Sequence, residues 1–161
     1  MNTRYGLIGL ILLFFCGFSH AGGLNVQPFD EGTWNEIQAQ HEGQEWLVQI
    51  WAVSCSACMQ ELPIWAKYID KHKNDHVIFV QADAASLDRT QALLQQMGFK
   101  AGKHYSATHE LEDQLRFSVH PSWQGETPAT LIIHRNGKKE WVLGAMNEKQ
   151  ISQLLKDSPS K

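Results

Sequence analysis

Apolar and polar positions follow several distinct patterns along this chain. The first is an unbroken apolar run, Leu7 to Phe15, which follows Arg4 and leads into the small-residue pattern Ser19-His20-Ala21. A basic start, a short apolar stretch and small residues predict an export signal over residues 1–21, cleaved after Ala21. The run is shorter than the roughly 20 residues a membrane-spanning helix needs, which argues against a retained anchor. Cys16 follows Phe15, where lipid attachment requires a small side chain, so lipidation is not expected.

Beyond residue 21 the periods alternate. After an irregular lead containing Pro28, Thr33-Trp34-Asn35-Glu36 has the form of a capping box opening a helix to about Gln40, with Gly43 as its stop. Trp46 to Trp51 reads as a largely buried strand. Cys55 then opens a helix whose apolar positions Met59, Leu62, Trp65, Ala66 and Ile69 recur at three- and four-residue steps, giving one buried stripe. Val77 to Val80 suits a central strand covered on both faces. Ser86 to Met97 reads as a helix closed by Gly98. Between Phe99 and Gln124, Thr108 is the candidate cap of a helix through Leu111, Leu115 and Arg116, and Pro121 then forces an extended loop. Ala129 to Ile133 is a strand, Asn136-Gly137 suits a type I′ hairpin turn, and Glu140 to Leu143 returns antiparallel. Asn147 with Gln150 caps a last amphipathic helix carrying Ile151, Leu154 and Leu155, and residues 157–161 are expected to fray. Strands alternating with helices, followed by a hairpin and a closing helix, imply an α/β fold with a mixed central sheet flanked by helices.

Residues 22–161 are enough for one domain with a real core and too few for two. They carry 13 basic and 17 acidic side chains, a net charge of −4, and the longest basic cluster is Lys138-Lys139 beside Glu140. That pattern does not suit nucleic-acid binding. The seven histidines of this segment are scattered.

Cysteine changes the picture most, because residues 22–161 contain only Cys55 and Cys58. A bridge between residues three apart removes little unfolded-chain entropy, so the pair is poorly placed as a staple and well placed to cycle. At the start of a helix, free N–H groups and the macrodipole favour a thiolate on Cys55. Cys58, one turn inside, can attack a mixed disulfide on Cys55 and release the partner. Cys55 is therefore the candidate nucleophile and Cys58 the resolving thiol. Structural zinc would need four ligands, and neither a second cysteine pair nor paired histidine spacing is present; His104, His109, His120 and His134 are the scattered candidates.

The segment Trp51-Ala52-x-x-Cys55-x-x-Cys58-x-x-Glu61-x-Pro63 resembles the active-site region of the thioredoxin-like superfamily, and Glu61 in particular resembles its exported TlpA-like branch. Thr127-Pro128, the strand after it and Asn136-Gly137-Lys138 resemble the part carrying that family's cis-proline. The likeness runs from about Trp46 to Leu155. It implies a thioredoxin-like fold in which Pro63 bends the active-site helix and a cis Thr127-Pro128 bond faces the disulfide. The Thr127 backbone would then pair with an extended polypeptide beside Cys55. Glu61 is a candidate proton acceptor for Cys58 or a solvated carboxylate. Trp51 packs beside the disulfide or serves the core. Trp123, in the apparent insertion His120 to Gln124, touches a partner or covers the core. Two departures stand out: Gln49 replaces the buried acid of ordinary thioredoxins, and Ala57 occupies a common proline position.

The resemblance implies an exported, extracytoplasmic or periplasmic thiol-disulfide oxidoreductase. It implies a reductase of protein disulfides, in cytochrome c maturation or another dedicated pathway, fed by a membrane-bound thiol donor, monomeric and without cofactor. An oxidase or isomerase would use the same residues at a different potential. From another class, thioredoxin-like copper-delivery proteins pair two thiolates with a distant histidine, which suits Cu(I), although they resemble a Cys-x-x-x-Cys spacing. A thioredoxin-fold peroxidase is least favoured, for want of a Thr-x-x-Cys setting.

Overall fold

The computed structural model describes residues 24–72 and 76–157. The predicted export signal, including Cys16, and the tail beyond Asp157 lie outside these residues. Among the described residues, five helices surround one six-stranded sheet in the order β1-β4-β3-β2-β5-β6. The strands are β1 (Asn25–Pro28), β2 (Trp46–Trp51), β3 (Val77–Gln81), β4 (Lys103–Ser106), β5 (Ala129–Ile133) and β6 (Lys139–Leu143). The first four run parallel, β5 is antiparallel to β2, and β6 is antiparallel to β5.

The period-2 alternation of strand side chains divides the core between the two sheet faces. From β2, Trp46, Val48 and Ile50 join one cluster with Trp34 and Ile37 of α1 (Glu31–Gln40) and Leu115 and Val119 of α4 (Asp113–Val119). Leu47 and Trp51 enter the other, with Leu62, Trp65, Ala66 and Ile69 of α2 (Ser56–His72), Leu94 of α3 (Leu87–Gln96) and Ile151 of α5 (Glu148–Asp157). The stripe read from the sequence thus faces the sheet, with Met59 at its partly buried margin. Gln49 shares the parity of Leu47 and Trp51, so it points under α2.

Several expectations require correction. The irregular lead before α1 is strand β1, and β4 lies between Phe99 and Thr108, where no element is predicted. Both are four residues long and neither carries a long apolar run; Lys-His-Tyr-Ser in β4 becomes a strand by pairing with β1 and β3. Pro28 ends β1 on the sheet edge, where a missing N–H is tolerated. Helix α1 is capped by Asp30, whose Oδ1 accepts the Thr33 N–H at 2.7 Å, so Thr33 lies within the first turn instead of capping it. Thr108 caps no helix: α4 begins at Asp113, after Glu112, although Leu111 is still buried in the core. The β5–β6 connection is not a two-residue type I′ turn. Gly137 N–H donates to His134 O, His134 N–H donates to Lys138 O, and Gly137 has φ of 79°. That is a three-residue connection with glycine in the left-handed bulge position. The cap of α5 is as expected: Asn147 and Gln150 exchange backbone and side-chain bonds at 2.9 and 3.0 Å.

Candidate redox site

The site forms where β2 ends and α2 begins. Four residues, Ala52 to Cys55, make the turn between them, closed by Cys55 N–H donating to Ala52 O at 3.2 Å. Cys55 and Cys58 are joined as a disulfide, with Cα atoms 5.3 Å apart. Cys58 N–H donates to Cys55 Sγ at 3.1 Å, so a free amide of the first helical turn is aimed at the sulfur. The two sulfurs differ in access. Cys55 is half-buried, whereas Cys58 is 0% exposed and packs with Leu62 and Trp65 in the core under α2.

One turn further along α2 lies Glu61, 2% exposed. Spaced three residues from Cys58, it occupies the same side of the helix. Its carboxylate accepts from Gln49 Nε2 at 3.1 Å, Trp65 Nε1 at 3.2 Å and Met146 N–H at 3.0 Å. Burial raises its affinity for a proton above that of an ordinary carboxyl, and the three donors only partly oppose this. Glu61 is therefore a buried acid, and the reading of it as a solvated helix carboxylate falls. Pro63 lies within α2.

The Thr127–Pro128 peptide is cis, and Pro128 O accepts the Gly144 N–H at 2.9 Å, tying the loop to the end of β6. A cavity of about 550 Å³ opens beside the site, lined among others by Ser54, Asp83, Glu110, Arg116, Trp123 and Thr127. It brings the residue before Cys55 and the residue before Pro128 to one cleft. Trp123 forms part of the wall but is 2% exposed, and its Nε1 donates to Glu126 O at 3.1 Å. Trp51 is 1% exposed, belongs to the core cluster containing Cys58 and does not line the cleft.

Asp83 escaped the sequence reading. It stands two residues past the end of β3, and its carboxylate accepts the N–H groups of Val53 at 2.8 Å and Ser54 at 3.0 Å. An acidic residue just past the carboxyl end of a parallel strand was the available signal, because sites in such sheets gather at those ends. The Met146 amide on Glu61 left no sequence signal at all.

Three of the candidate histidines pack elsewhere in the fold, whereas His109 is exposed next to Glu110 of the cleft wall. His104 packs against Phe79 and Phe99, His120 stacks on Trp141, and His134 sits between Glu45 and Glu140. Among the described residues no group of three or more His, Cys, Asp or Glu side chains could hold a metal ion. Among them, too, no helix is long and apolar enough to cross a membrane.

No protein-family model and no curated protein matches the chain. Solved structures do. A secreted disulfide oxidoreductase of Mycobacterium tuberculosis, described as homologous to E. coli DsbE, superposes with a TM-score of 0.54 at 19% identity, covering 74% of this chain and 85% of the other. An exposed lipoprotein thioredoxin of Streptococcus pneumoniae gives 0.55 at 21% identity, over 74% and 88%. A thiol-disulfide isomerase of Corynebacterium glutamicum gives 0.55 at 16% identity, over 88% and 98%. The fold of this chain is the thioredoxin-like fold, with the Cys55–Cys58 disulfide at its β2–α2 junction.

Proposed function

We propose that this protein is an exported thiol-disulfide oxidoreductase that reduces disulfides in extracytoplasmic proteins, cytochrome c maturation being one pathway of that kind. The observation that carries the reading is the unequal access of the two sulfurs: Cys55 meets solvent and Cys58 does not. The Cys55 thiolate attacks one sulfur of a substrate disulfide, forming a mixed disulfide and expelling the other sulfur as a thiolate. Cys58, losing its proton, attacks Cys55 Sγ; the substrate leaves fully reduced, and the protein holds the disulfide. Two electrons pass to the substrate and are restored by a thiol donor, which the resemblance assigns to the membrane. Glu61, the buried acid one turn from Cys58, is the candidate acceptor of the Cys58 proton. Thr127 and Pro128 line the seat of an extended polypeptide, with Trp123 as part of its wall and Trp51 supporting the disulfide from the core.

Replacing Cys58 with Ala removes the resolving step and leaves partners covalently held on Cys55. Trapping in the native host, followed by identification of the attached proteins, is expected to return disulfide-containing extracytoplasmic proteins. No trapped protein, together with a wild-type protein unable to reduce any test disulfide, defeats the proposal. Equilibration with glutathione decides direction: a strongly oxidising potential excludes the reductase and leaves an oxidase or isomerase.

A further inference from the structure

Behind the disulfide runs a hydrogen-bonded chain that the exchange steps do not use. It ends at Asp83, whose two oxygens each take one of the successive amides of Val53 and Ser54, immediately before Cys55. The Gln81 side-chain amide donates to the same carboxylate and to Asp83 O. Gln81 Oε1 in turn accepts from the Ser106 hydroxyl at 2.5 Å. That hydroxyl has one proton, now committed, so in the 3.1 Å contact between Thr90 and Ser106 it is Thr90 that donates. Gln81, Ser106 and Thr90 are each 0% exposed. Groups from α3, β4 and β3 thus converge, fully buried, on the loop that carries the nucleophile.

Burying this many polar groups is costly unless each is satisfied, and a satisfied network holds a single geometry. It also fixes a charge. Bond lengths keep the Asp83 carboxylate within roughly 10 Å of Cys55 Sγ, about one Debye length at physiological salt. A negative charge there opposes the thiolate that the helix start favours.

We propose that Asp83 is a positioning residue for the redox centre, clamping the two amides before Cys55 and restraining its ionisation by a fixed negative charge. The inference rests on the exchange role given to Cys55. The amides of Val53 and Ser54 and the side chain of Gln81 hold the carboxyl below its ordinary range although burial acts the other way, so the charge is present at neutral pH. The other charged groups around the nucleophile are the buried Glu61 on α2, and Glu110 and Arg116 in the adjoining cleft, Arg116 being ion-paired with Asp113.

The test follows iodoacetamide alkylation of Cys55 against pH in the reduced Cys58→Ala protein. Asp83→Asn keeps an acceptor oxygen and removes the charge; the midpoint of the profile is expected to fall by roughly half a pH unit. Ser106→Ala breaks the chain between Thr90 and Gln81 and keeps the charge, so its melting temperature falls while the midpoint stays within about 0.2 unit of the parent. A folded Asp83→Asn protein with an unmoved midpoint overturns the proposal, as does an equal shift in Ser106→Ala. Should Asp83→Asn not fold, Asp83→Ser, smaller and also uncharged, carries the same expectation. Alkylation needs no partner, so a wild-type protein inert toward test disulfides would remove the proposed function and leave this measurement standing.

Discussion

The side-chain amide of Gln49 donates to the Glu61 carboxylate at 3.1 Å, joining the middle of β2 to the second turn of α2. The Gln49 orientation is set from the other side, because its Oε1 accepts from the Thr130 hydroxyl at 2.5 Å. The strand therefore supplies a neutral donor and the helix supplies the acid. A carboxyl in that position has consequences that can be measured.

The first concerns Glu61 itself. Burial lifts its proton affinity above the ordinary value of 4.5, so the folded protein holds this proton more tightly than the unfolded chain. Its contribution to stability is present at low pH and is lost as pH rises from the ordinary value through the raised one. Glu61→Gln has no proton to lose there. Urea denaturation at several pH values is expected to show wild type losing stability relative to the variant across that window; a constant difference would mean that Glu61 titrates normally.

His104 gives the opposite slope. It is 1% exposed, its Nε2 lies 3.2 Å from Ala101 O, and burial lowers its pKa from 6.5 to about 4. The unfolded chain takes up a proton that the folded one refuses, so stability falls as pH drops from 6.5 to about 4 and levels off below. The loss is on the order of 3 kcal/mol. His104→Leu should lack this segment of the curve, as followed by thermal melting against pH.

Sulfur accessibility predicts the order of modification. In the reduced protein, limiting iodoacetamide is expected to label Cys55 at least about tenfold faster than Cys58, since an enclosed thiol is both unreachable and less ionised. Peptide mapping by mass spectrometry reads the ratio. Equal labelling would contradict the assignment of nucleophile and resolving thiol.

The cap of α1 offers a test of local structure. Asp30→Ala removes the acceptor of the Thr33 amide and is expected to cost about 1 kcal/mol. Thr33→Ala leaves that acceptor in place and should cost less, by urea denaturation. The reverse ranking would restore Thr33 as the cap.

Much of this was legible before any coordinates. Cys55, Cys58 and the helix behind them declare themselves through spacing and a period of 3.6, and Trp46 to Trp51 through continuous burial. Strands β1 and β4 do not, because Asn-Val-Gln-Pro and Lys-His-Tyr-Ser become strands only through parallel partners distant in sequence. Thr33 and Asp30 are both acceptable caps by chemistry, and the choice between them rests on where the chain enters the helix. The buried partnership of Gln49 with Glu61 follows from parity once β2 lies under α2, yet neither residue alone announces it. Asp83 acts through backbone amides, which every sequence possesses and none displays.

The enclosure of Cys58 also limits how the protein can become entangled with a partner. In the exchange proposed above, a substrate sulfur that reaches only Cys55 is joined at one sulfur of this protein and leaves by one route. Turnover on such a surface has no dead-end adduct at the second sulfur to undo. The apolar packing of Leu62 and Trp65 is what keeps that sulfur enclosed.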